Sequence, residues 1–223
     1  MRLVLASRNA HKLRELNLLL APHELVPLPD AVQLPPETGT TFAENALVKA
    51  RTAAAATGMP AVADDSGIEA AALDGAPGIY SARFAGADAS DGDNLAKLLR
   101  DVPPGGDTRV AYVCALVLVE PDGRELVAEQ RCAGRLTHEP RGDGGFGYDP
   151  AVVPDDYDDG RTMAELSPVE KDAISHRGRA ARELRSLLLE AEEAARPRSP
   201  LAGLLRGGNA GRRRAGRSGR GGR

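Results

Sequence analysis

Apolar positions in residues 1–190 alternate between short continuous runs and stripes at helical spacing. Leu3-Val4-Leu5-Ala6 is a compact run that reads as a buried strand, and Leu13, Leu16, Leu19 and Leu20 follow on one face of a helix. Residues 22–36 carry several prolines and read as an irregular strand and loop. Thr41 with Glu44 is a capping-box pattern, Phe42, Leu47 and Ala50 begin an apolar face, and Gly58 marks the end of that helix. Ala61-Val62-Ala63 is the next buried strand. It is expected to end at two carboxylates, Asp64 and Asp65, before Ser66-Gly67 and a stretch dense in Gly and Pro. Residues 88–101 have the spacing of a helix, with Leu95, Leu98 and Leu99 inward. Residues 109–120 and 125–132 are strand-like and joined across Pro121-Asp122-Gly123, which predicts a long hairpin. Residues 134–145 read as a loop. Ser167-Pro168-Val169-Glu170 then places Ser at the N-cap, Pro at the first helical position and Glu at the third, opening a helix or helix pair packed down by Leu184, Leu187 and Leu188.

Composition narrows the picture. A chain of 223 residues suits one large domain or two small lobes. Aromatic residues make up 3% and Trp is missing, so the core must be built from Leu, Val, Ile and Ala. Cys114 and Cys132 lie in apolar or strand-like segments with no CxxC and no His at metal spacing, which predicts buried free thiols. The apolar run at the N-terminus is too short for a signal peptide, and nothing approaches the roughly 18 apolar residues of a membrane span. A soluble, cytoplasmic protein is expected. The net charge of −3 is unevenly spread: residues 197–223 hold eight arginines and no acid, so residues 1–196 carry −11. That Gly- and Arg-rich tail has too little apolar content to offset its ordering entropy and is expected to be disordered, with 1–196 as one folded unit. An arginine run can touch nucleic acid, but the acidic body argues against duplex binding as the main task.

Five segments carry candidate chemistry. Ser7-Arg8-Asn9-Ala10-His11-Lys12 links a strand to a helix N-terminus, where unpaired N–H groups and the helix dipole favour an anion; a plain N-cap with a surface lysine explains the same residues. Glu37 lies in a loop with no capping duty, whereas Glu44 has one. Lys49, in mid-helix, would ordinarily be solvated. Asp64-Asp65-Ser66-Gly67 reads either as a polar turn or as carboxylates at a strand's mouth, where α/β proteins place metal and ligand sites. Phe146 and Tyr148, set among Gly144, Gly145 and Gly147 and followed by Asp149, suggest a stacking surface with close backbone approach. Lys171, His176 and Arg177 gather cationic groups that could meet an anion, although a solvated face explains them equally well.

Taken in order, SRNAHK, ETGTTFAENALVKA, ADDSG, GAPGIYSARFAG, GGFGYDP and AELSPVEKDAISHRGRA resemble the Ham1/RdgB-like family, the inosine/xanthosine triphosphate pyrophosphatases, over almost all of residues 1–190. Each pattern alone is weak; their ordered set is specific. The resemblance implies an α/β fold, a mixed central sheet flanked by helices, with two lobes and an active-site cleft between them, and a homodimer. It implies hydrolysis of noncanonical purine nucleoside triphosphates (ITP, dITP, XTP) to monophosphate and pyrophosphate with Mg²⁺. Carried over, Ser7, Arg8, Asn9, Ala10, His11 and Lys12 would form the first nucleotide-contacting loop. Asp65 would be the proton acceptor and a metal carboxylate, with Glu37 as the second carboxylate and Ser66 beside the substrate. Phe146, Gly147, Tyr148 and Asp149 would hold the base, and Lys171, His176 and Arg177 would close over it. Arg8 departs from the small or glycine residue that many members have there.

Those residue types suit the chemistry. Mg²⁺ and Lys12, Lys49 and Lys171 would neutralise a triphosphate, with hard oxygen ligands for the metal. N–H groups on His176 and Arg177 would satisfy the C6 oxygen of hypoxanthine or xanthine and leave adenine's amino group mismatched. Two other readings are a nucleotide hydrolase with a different base preference and a nucleic-acid-binding protein that uses the arginine tail.

Overall fold

A computed structural model describes residues 1–195; the tail predicted to be disordered lies outside the described residues. Six strands form one mixed sheet in the order β2 (Glu24–Pro27), β1 (Arg2–Leu5), β3 (Ala61–Ala70), β4 (Arg109–Val119), β5 (Glu125–Leu136) and β6 (Val152–Pro154). The first three run parallel, and β3 to β6 pair antiparallel. Helices α1 (Ala10–Leu19) and α5 (His176–Ala195) pack Leu16, Leu184 and Leu188, with Leu20 just past α1, against Leu3, Leu5, Val62, Leu116 and Leu118. On the other face, α2 (Phe42–Thr57) packs Phe42 and its alanines against Val4, Ala61, Ala63, Val113 and Val117. A third cluster holds α3 (Asp91–Asp101) and α4 (Pro168–Ile174) to the far end of the long strands through Leu98, Val102, Tyr112, Met163 and Ile174.

The predicted caps form: Thr41 and Ser167 each accept from the backbone N–H three residues on, with Glu44 and Glu170 reaching back to complete capping boxes, and Ser90 with Asp93 adds a third box that was not predicted. Gly58 closes α2 in the left-handed region, with φ 65°. The hairpin is present, and β5 runs on to Leu136, further than its pattern suggested. Both cysteines are buried and free.

The expectation for the central strand needs correction. It does not end at Asp64; β3 continues through Asp65, Ser66 and Gly67 to Ala70, because β4 pairs with it residue for residue from Val119 to Val110. The Asp-Asp-Ser-Gly segment is therefore strand. It becomes accessible because β1 stops early, pairing with β3 only at Ala61 and Val62. Past that point, among the described residues, one edge of β3 has no named strand beside it until the isolated bridge of Glu69 with Pro77, and side-chain groups serve its backbone. Lys49 Nζ donates to the carbonyl of Asp64 at 2.8 Å, and Ser81 Oγ accepts from Ile68 N–H at 2.9 Å.

Candidate active site

Strand geometry sends successive side chains to opposite faces, so the two neighbouring carboxylates enter different surroundings. Asp64 points toward α1 and α5. There Oδ2 meets Lys12 Nζ at 2.9 Å and Arg177 Nη2 at 3.1 Å, and the residue is 1% exposed. Burial alone would raise its pKa, but Lys12, Arg177 and Lys49 outweigh it and hold the carboxyl well below the ordinary 3.8. Asp65 points toward α2. It accepts from Asn45 Nδ2 at 3.0 Å and lies 3.7 Å from Lys49 Nζ. Here burial prevails: with Glu37 adding repulsion against the pull of Lys49, the Asp65 pKa rises above 3.8. One carboxylate is locked as an anion; the other is poised to take a proton.

Lys49 is not a solvated lysine. It is 8% exposed, and its ammonium sits between Glu37 Oε1, at 2.7 Å, and Asp65. Burial lowers its pKa, yet Asp65, Asp64 and Glu37 together keep it raised, so it remains a cation. Two carboxylates converging on one buried positive charge form a place built for cations. Among the described residues no group of three or more His, Cys, Asp or Glu could hold a metal alone. Two carboxylates completed by substrate phosphate oxygens are nevertheless a usual Mg²⁺ donor set.

The remaining segments close around the exposed edge of β3, enclosing a cavity of about 590 Å³. Ser7, Arg8, Asn9 and Lys12 line one side, with Asn9 as the cap: its Oδ1 accepts from Lys12 N–H, and Ser7 Oγ accepts from Asn9 N–H. The anion-loop and N-cap readings thus describe the same residues. Ala10 and His11 form the first turn of α1. The Arg8 guanidinium bonds Asp30 and the Val32 carbonyl, so it braces the neighbouring loop.

Opposite stands the glycine-rich loop. Asp149 is buried; its Oδ2 accepts from Phe146 N–H at 2.8 Å and from Lys171 Nζ at 2.7 Å, curling the loop around one carboxylate. Gly145 is required by that curl, since a Cβ there would lie 2.0 Å from Asp149 Oδ2 at a φ of +72°. Of the two aromatics expected to stack, only Phe146 offers its ring, at 39% exposure with Lys171 and Arg177 over it at 4.9 and 5.7 Å. Tyr148 is buried and anchors the loop through its hydroxyl to the Ser81 carbonyl at 2.8 Å.

His176 opens α5, buried, with its ring stacked on Tyr112 and its Nδ1 without a hydrogen-bond partner. Burial, then Arg177 and Lys171, push its pKa well below 6.5, so it is neutral at physiological pH. Arg177 spends most of its donors internally, on Asp64, on Ser66 Oγ at 3.0 Å and on Glu15 at 2.7 Å. The expectation that both residues present free N–H groups to the base is therefore too simple: His176 can donate or accept, and Arg177 is largely occupied.

Sequence reasoning overlooked Asn45, Tyr112, Glu15 and the separate role of Asp64. Asn45 had a usable signal, since it lies one helical turn before Lys49 on the same face. Tyr112, inside an apolar strand, had none.

The family model described as Ham1 family matches residues 3–187. The chain is 52% identical over 207 residues to the dITP/XTP pyrophosphatase of Mycolicibacterium paratuberculosis, covering 88% of this chain and 98% of the relative. It is 50% identical over 191 residues to that of Streptomyces coelicolor, covering 82% and 94%. Among solved structures, a HAM1 protein from Coxiella burnetii superposes with a TM-score of 0.78 at 42% identity, covering 85% of this chain and 99% of that one.

Proposed function

Because the chain belongs to the Ham1 family, we propose that it hydrolyses dITP, ITP and XTP to the monophosphate and pyrophosphate, removing noncanonical purines from the nucleotide pool. The names of the relatives, dITP/XTP pyrophosphatase at about half identity over most of both chains, support the substrate class. The observation that carries the chemistry is Asp65, a carboxylate of raised pKa on the cavity wall beside Glu37 and Lys49, next in sequence to a carboxylate held as an ion-paired anion.

In this reading the triphosphate lies along the edge of β3, between the ammonium groups of Lys12 and Lys49, which offset its charge as pyrophosphate departs. A water attacks the α-phosphorus while the bond to the β-phosphate oxygen breaks, its electron pair leaving with pyrophosphate. Asp65 accepts the proton of the attacking water, a role its raised pKa suits, and Asn45 fixes the carboxylate's orientation. Asp65 and Glu37 would hold Mg²⁺, which when bound supplies charge neutralisation to the phosphate oxygens. Phe146 offers a face for the base, beside His176. The family resemblance alone extends this proposal to a cytoplasmic homodimer. Among the described residues no helix is long and apolar enough to cross a membrane.

The test is turnover of dITP, XTP, GTP and ATP with Mg²⁺, resolving pyrophosphate from orthophosphate, for wild type and Asp65→Asn. Pyrophosphate from dITP and XTP, reduced about 10²–10⁴-fold in the variant, is the expected result. Orthophosphate as first product, or equal use of ATP and GTP, would refute the reading.

A further inference from the structure

Tyr112 belongs to none of the segments that carry the resemblance, yet it touches two separately encoded pieces of the cavity, His176 and Asp149. It sits in mid-β4 opposite Ile68 and Cys132, only 6% exposed. Its ring lies against His176 at a centroid distance of 4.8 Å and an interplanar angle of 11°. Its hydroxyl donates to Asp149 Oδ1 at 3.0 Å, and the other oxygen of that carboxylate holds Phe146 N–H and Lys171 Nζ. Burial, then Asp149, push the phenol well above 10, so the donor is retained at any working pH.

The stack matters because of what His176 lacks. Its Nδ1 has no hydrogen-bond partner, so that nitrogen does nothing to fix the plane of the ring. The flat face of Tyr112 does. A neutral imidazole reads a base edge only if its ring is held at a defined angle, since hydrogen bonds weaken steeply with misalignment.

Resting on the nucleotide reading above, the structure assigns Tyr112 as the positioning residue for base selection: its ring orients His176, and its hydroxyl sets the Asp149 carboxylate that shapes the Phe146 loop and docks Lys171. The two halves of this role separate by substitution. Tyr112→Phe keeps the stack and removes the hydroxyl. It is expected to raise the KM for dITP about tenfold with kcat little changed and the dITP/dATP ratio of kcat/KM preserved, the pattern of lost ground-state binding. Tyr112→Met fills the volume without a planar face and is expected to lower the dITP/dATP ratio about tenfold or more.

Melting temperatures of both variants, and the dITP/dATP ratio of His176→Ala, complete the experiment. In the His176→Ala background, Tyr112→Met should cause no further loss of selectivity, because the group it orients is gone. An unchanged KM in Tyr112→Phe overturns the hydroxyl's role, and Tyr112→Phe is isosteric enough to fold. A selectivity loss in Tyr112→Met that adds fully to that of His176→Ala overturns the orienting role. Failure of the wild type to release pyrophosphate from dITP would instead refute the nucleotide reading itself, independently of either variant.

Discussion

Asp64 gives up its hydration on burial, yet Lys12 and Arg177 hold its carboxyl below the ordinary 3.8. A depressed folded-state pKa means stability that is present above 3.8 and lost as pH falls toward the folded value. Asp64→Asn should therefore cost about 3–5 kcal/mol at pH 7, because Arg177 keeps a buried charge short of its partner. Urea unfolding should show the gap from wild type narrowing below pH 3.8. Asp65 has the opposite sign. Its pKa is raised in the fold, so its ionisation works against folding above 3.8, and Asp65→Asn should melt no lower than wild type at pH 7 while losing turnover. If Asp65 is the proton acceptor, kcat/KM should fall on an acid limb set by its raised pKa in the free enzyme, and a pH profile locates that limb.

At the level of elements, local signals were readable where they are chemically self-contained. The Thr41–Glu44 and Ser167–Glu170 boxes satisfy helix N–H groups within a few residues, so sequence alone exposes them, and the capping duty read for Glu44 is present in the structure. Thr41→Ala should lower stability by about 1 kcal/mol in a thermal melt and leave KM unchanged. The length of β3 was not readable, because its continuation past Asp65 depends on β4, some fifty residues away in sequence. Burial of Lys49 escaped notice for the same reason: its partners are Glu37 and a strand carbonyl, neither on its own helix. Gly145 shows how tightly the loop is closed. Gly145→Ala should raise KM severalfold by displacing Asp149, with stability falling by about 1–3 kcal/mol.

Over the whole molecule, every proposed site residue lies between Ser7 and Arg177, and the Ham1 family match ends at residue 187. Truncation after Arg196 should leave kcat/KM within about twofold of the full chain at moderate salt, with competition by single-stranded nucleic acid checking whether the arginines bind polyanions. The ordered motif set made the family legible before any geometry. The division of labour between the two aspartates was not, since adjacent letters do not reveal which face each occupies. That division makes the enzyme sensitive to a kind of error that composition cannot register. Sliding β3 by one residue would turn Asp64 toward α2 and Asp65 toward α5, reversing the faces that two identical side chains occupy. Net charge and residue content would be unchanged, while Ser66 and Gly67 would also trade faces and bring a side chain against Ser81, where only Gly67 fits. The close fit at Gly67 thus acts as a proofreader of alignment, keeping each aspartate on the face where its own partners wait.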